Sequence, residues 1–151
     1  MGRDKWRGDL PRINVFVTNI TAERLWDVDR AIPGQIHISI NLNVIGFEKR
    51  SDKAVEAPFI FNVTFNPAIA QITVKGRSRI IGSSLELDEI LRGGSEGKPP
   101  PAFIVQAISN GAMAEAIIAS KAIGVPPPIP PITISGSEGK PPEGSSYRYT
   151  A

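Results

Sequence analysis

The chain has 151 residues, 41% of them hydrophobic and 21% charged, which suits one globular domain with a sizeable core and is too short for two. There is no Cys and a single His, His37. This excludes disulfides, cysteine nucleophiles and multi-histidine metal sites, and any Ser-His-Asp triad would have to use that one residue. The net charge of +2 is too small for a histone-like polyanion binder.

Residues 1–11 are polar, carry charges of both signs and read as a flexible N-terminal arm. The start, MGRDKWRGDLPR, has no apolar signal-like core, so a cytoplasmic location is expected. From Arg12, Ile13, Val15 and Val17 alternate with Asn14, Phe16 and Thr18, the pattern of a strand with one apolar face. Ile32-Pro33-Gly34 is a turn signal. Residues 35–45 alternate strictly, with Ile36, Ile38, Ile40, Leu42 and Val44 on one face and His37, Ser39, Asn41 and Asn43 on the other. Glu48 to Lys53 reads as a charged hairpin loop. The next strand is expected from about Pro58, with Phe59, Phe61, Val63 and Phe65 inward. Asn66-Pro67 interrupts it, and alternation resumes with Ala68, Ala70, Ile72 and Val74 inward. Three or four meandering strands with short links are expected.

The second half changes period. Ser84 to Leu91 opens with a capping residue and early acids and stops at Gly93-Gly94, predicting a short helix. Residues 102–123 predict a long helix that ends at Gly124 before Pro126-Pro127-Pro128. Asn110, Gly111, Glu115 and the many alanines argue against a membrane span. From Ser135 to Ala151 the text is mostly Ser, Gly, Glu, Lys and Pro, with Tyr147 and Tyr149 its only large apolar side chains, a composition expected to be disordered. The string SEGKPP occurs at 95–100 and again at 137–142, which is loop text rather than a structural repeat. The domain is therefore placed at residues 12–134. Its expected class is α+β, an antiparallel sheet of about four strands packed against a long C-terminal helix.

Two features bear on function. Lys75, Arg77 and Arg79 project from one side of a strand as a basic row about 14 Å long, at roughly 3.4 Å per residue. Such a row suits phosphates or an acidic partner. The second feature is an apolar surplus. Phe16, Ile45, Phe47 and Ile60 fall at solvent-side or strand-end positions, the long helix is apolar on most faces, and Val125 to Ile134 adds apolar text among prolines. One sheet and one helix leave this surplus over, which implies self-association or an open groove for apolar partners. No phosphate-binding loop, nucleophile motif or metal-ligand spacing occurs, so no enzymatic activity, cofactor or metal is expected.

The order of parts resembles the SecB export chaperones. Residues 103–134, FIVQAISNGAMAEAIIASKAIGVPPPIPPITI, resemble that family's long helix and the Gly- and Pro-marked apolar stretch after it. FIFNVTFNPAIAQITVKG resembles the strand text before its helices, and residues 12–25 its first strand in position. The resemblance implies a SecB-like fold, a homodimer or homotetramer, and ATP-independent holding of unfolded or extended polypeptides. Under that reading Phe16, Phe47, Ile60, Val125 and Ile129 are the candidate client-binding residues. The alternative is a nucleic-acid- or ribosome-associated protein that uses Lys75, Arg77, Arg79 and the N-terminal arm.

Overall fold

The computed structural model describes residues 11–129 and, as backbone, residues 146–150. Strands β1 (Arg12–Arg24), β2 (Gln35–Val44), β3 (Glu48–Ser51), β4 (Ala54–Asn66) and β5 (Ala70–Ile81) precede helices α1 (Ser84–Ser95) and α2 (Ala102–Ala122), and β6 (Ser146–Thr150) follows. All pairings are antiparallel, in the order β1-β5-β4-β2-β6, with β3 also on β4. The α+β class and the long C-terminal helix are as expected, and the four long strands β1, β2, β4 and β5 form the body of the sheet.

Several details differ from the expectation. The sheet is not a meander, because β1 pairs with β5 at the far side from β2. The link over 25–34 crosses from one side of the sheet to the other. Its start is held where Leu25 and Trp26 donate their N–H groups to the Ile69 carbonyl. The charged segment after Phe47 is not a plain loop. Glu48–Ser51 is a strand, and β4 starts at Ala54 rather than Pro58, because the backbone groups of this stretch pair across the tight turn at residues 52–53. Ala68 is exposed and Ile69 buried, since pairing of β5 resumes only at Ala70.

The sheet has one covered and one open face. Ile13, Val15 and Val17 of β1, Phe59, Phe61 and Val63 of β4 and Ile72 and Val74 of β5 point to the covered face. Onto it α2 lays a stripe at helical spacing, Ile104, Ile108, Ala112, Ala116 and Ser120, all fully buried. Small residues along this stripe let the helix approach closely; a Cβ at Gly111 would stand 3.2 Å from the Val15 side chain. The helix is apolar on most faces but is not covered on its outer side, where Ile118 is 64% exposed. α2 is long and apolar enough to cross a membrane by length and composition alone. Its buried stripe is seated on the sheet.

Ser146–Thr150 replaces part of the expected disordered tail. It pairs with β2 from Gln35↔Thr150 to Ser39↔Ser146. An edge strand carries a row of unpaired N–H and C=O groups, and an extended segment from the same chain satisfies them. Residues 1–10 of the expected arm and 130–145 lie outside the described residues.

Candidate functional site

Ser83 starts α1: its Oγ accepts a hydrogen bond from the Glu86 N–H at 3.3 Å. The cap is thus Ser83 rather than Ser84. Leu87 and Ile90 are buried under the helix. Glu86, Glu89, Ile90 and Gly93, spaced by three and four, form a face that looks into a cavity of about 400 Å³. This volume falls within the roughly 300–1,000 Å³ of ordinary ligand pockets.

Gly93-Gly94 does not stop α1, which runs on to Ser95. The reason for a glycine at 94 is packing: a Cβ there would stand 3.0 Å from the Phe47 ring. The stop comes at Gly97, whose φ of 75° lies in the left-handed region that side chains disfavour. There the Lys98 N–H returns to the Gly93 carbonyl at 2.9 Å and the Gly97 N–H to Gly94 at 3.2 Å. The chain then passes through Pro99 to Pro101, and Phe103 at the start of α2 forms the opposite wall. Phe47, from the link between β2 and β3, and Pro11, just before β1, complete the lining. The groove is therefore mainly apolar, with Glu86 and Glu89 as its acids.

Its charges are unbalanced. Lys98 also borders the groove but pairs with Glu96 at 3.1 Å. Neither Glu86 nor Glu89 has an ion pair among the described residues. The Glu86 Oε2 is buried and has no hydrogen-bond partner among the described residues. Such atoms are uncommon in folded proteins and mark a place where a partner is missing.

The sequence-derived client residues separate into four places. Phe47 lines the groove. Phe16 and Ile60 lie on the open face of the sheet, with Phe16 45% exposed and Ile60 half-buried. Val125 is 5% exposed, a core residue whose N–H bonds to the Ser120 carbonyl, so it is not available for binding. Ile129 is exposed beyond α2. Phe59, Phe61 and Phe65, whose size invites a role between subunits, are buried within the single chain. Phe103, Ile90, Pro11 and Glu86 were not found by periodicity. The only sequence signal for this wall is the run Pro99-Pro100-Pro101-Ala102-Phe103, where a bulky side chain follows a segment that cannot extend a helix.

The basic row is largely occupied by partners. Lys75, Arg77 and Arg79 share the open face with Glu56, which is only 2% exposed. Arg79 holds the Glu56 carboxylate with Nη2 at 2.6 Å and Nε at 2.9 Å; Arg77 reaches it at 3.4 Å and Arg50 at 3.5 Å. Arg77 also meets Glu48 at 3.6 Å. The hydrogen bonds from Arg79 hold the Glu56 carboxyl below its ordinary range; burial opposes this, and the charges of Arg50 and Arg79 and the bond from Arg77 assist it. The Arg79 guanidinium lies 5.3 Å from the centre of the Phe16 ring. Of the three basic side chains, Lys75 alone makes no ion pair among the described residues.

Among the described residues no group of three or more His, Asp and Glu converges as a metal site would. No family model, curated protein or solved structure matches the chain.

Proposed function

We propose that this chain is a non-enzymatic protein-binding module, a SecB-like, ATP-independent holdase for extended non-native segments, acting as a homo-oligomer. The observation that carries this reading is the groove between α1, Phe47 and Phe103: it is pre-formed, mainly apolar and open to solvent. A groove of this kind suits the side chains of an extended peptide better than a compact polar substrate. Binding would bury apolar surface at roughly 25 cal/mol per Å² and would need no chemical step.

Self-association is supported by β1. It is the end strand of the sheet among the described strands and runs for 13 residues. Phe16 and Ile20 are exposed on it, and Ile118 is exposed on the helix above. A long edge strand with apolar neighbours is a ready template for pairing with a second copy. The nucleic-acid alternative draws less support, because Arg77 and Arg79 already face Glu56 and Glu48.

The test is suppression of aggregation of a chemically denatured client, with light scattering to give the mass of the free and loaded protein. The expected result is a stable complex of an oligomer with client, weakened at least about tenfold by Phe47→Glu with Phe103→Glu, the factor that a loss of about 1.4 kcal/mol produces. A strict monomer that captures no client, or capture unaffected by the groove changes, refutes the reading. Tight RNA binding lost on reversing Lys75, Arg77 and Arg79, and steeply weakened by salt, would replace it with the alternative.

A further inference from the structure

The groove has two unexplained features. Its apolar walls are open, and the buried Glu86 Oε2 lacks a hydrogen-bond partner among the described residues. The chain itself supplies a segment that fits both. Pro11, the first described residue, is part of the lining, so the described chain begins beside the groove. Pro11 is also close to the start of α1: a Cβ at Gly82 would stand 3.5 Å from the Pro11 Cβ and 3.2 Å from the Glu86 Oε2. The ten residues before it, MGRDKWRGDL, contain Trp6 between Lys5 and Arg7, with Arg3 a little earlier. Trp6 is five residue steps from Pro11, a reach of up to about 17 Å at roughly 3.3–3.6 Å each. That span exceeds the dimensions of a cavity of about 400 Å³.

We propose that residues 1–10 dock in this groove as an internal ligand, with the Trp6 indole against Phe47, Phe103 and Ile90 and the cation of Lys5 or Arg7 on Glu86 and Glu89. The chemistry of both halves matches. An indole carries a large apolar area and rigid shape into an apolar slot. A guanidinium or ammonium group would supply the hydrogen bond that the buried Glu86 Oε2 lacks among the described residues. A neutral or acidic segment would leave Glu86 unsatisfied. The consequence is competition: any external segment entering the groove must displace the chain's own. The inference concerns an intramolecular contact and stands whether or not the external ligand is a non-native polypeptide.

The experiment uses fluorescence of the full-length chain. Its two tryptophans are Trp6 and Trp26, so Trp26→Phe leaves Trp6 as the sole reporter. The difference between wild type and Trp6→Phe gives the same signal should Trp26→Phe fail to fold. The expected result is blue-shifted Trp6 emission, with quenching by iodide or acrylamide reduced at least about threefold relative to the free peptide 1–10, since pockets cover about 70–90% of a ligand's surface. Phe103→Glu and Glu89→Lys, both at exposed positions, should each return Trp6 towards the free-peptide values while circular dichroism stays unchanged. Emission and quenching equal to the free peptide would overturn the proposal. So would shielding that survives both substitutions, which puts Trp6 elsewhere, or shielding that appears only as protein concentration rises, which puts it on another copy.

Discussion

Replacing Gly76 with Ala tests how β1 is held to the sheet. Gly76 lies in the middle of β5, opposite Val17 of β1 and Phe59 of β4. A Cβ there would stand 2.8 Å from Cζ and 3.0 Å from Cε1 of the Phe59 ring, and closer still to the Phe16 carbonyl oxygen. Carbon atoms rest about 3.5–4.0 Å apart, so the ring contact alone is short by roughly 0.7 Å or more. Phe59 is 1% exposed and has no room to swing aside, and the carbonyl belongs to a paired strand. Overpacking of this kind costs about 1–3 kcal/mol, and a backbone obstacle sets the expectation at the upper end, near 3 kcal/mol. Against a usual total of about 5–15 kcal/mol this is a large fraction. At an m-value of about 2 kcal/mol/M the urea midpoint should fall by about 1.5 M. In a Phe59→Leu background the ring contact is relieved and the carbonyl contact is not, so the cost should shrink but stay above about 1 kcal/mol. Because the substitution pushes β1 off β5, it should also weaken self-association through that strand. A stability change within about 0.5 kcal/mol in the wild-type background would refute this account of the glycine.

The remaining expectations concern the acid cluster, the cap and the last strand. The Glu56 carboxyl lies below its ordinary range in the folded state, so its contribution is full above the ordinary value of about 4.3 and is lost as pH falls through the lower folded value. Melting curves of wild type and Glu56→Gln should therefore differ at pH 7 and converge under more acid conditions; a difference that persists or grows on acidification contradicts the assignment. Ser83→Ala removes the bond to the Glu86 N–H and should cost about 1 kcal/mol in urea unfolding, whereas Ser84→Ala should cost much less. Deleting residues 146–151 removes the pairing of β6 and should speed hydrogen exchange at the amides among Gln35–Ser39 that face it, with β4 and β5 unaffected. Unchanged exchange there would show that β6 adds no protection to β2.

Sequence alone determines the faces of this protein. Alternation at period two assigns Ile36, Ile38 and Ile40, Phe59, Phe61 and Val63, and Ile72 and Val74 to the covered side, and all are buried, because one face of a strand is either in the core or out of it. Composition likewise marks the end of α2 at Gly124, where φ is 69°. Neither pattern says which strands are neighbours. The crossing that sets β1 beside β5 is a long-range event, and with it come the approach of Gly76 to Phe59 and the row of Arg79 and Glu56. Lys75, Arg77 and Arg79 look like a free basic row in one dimension. They become part of an ion-pair cluster because β4 brings Glu56 opposite Arg79, 23 residues apart in sequence. The groove is tertiary in the same sense. Pro11, Phe47, Glu86 and Phe103 are scattered over the chain, no periodicity links them, and only the seating of two helices on one sheet face brings them together around a single space.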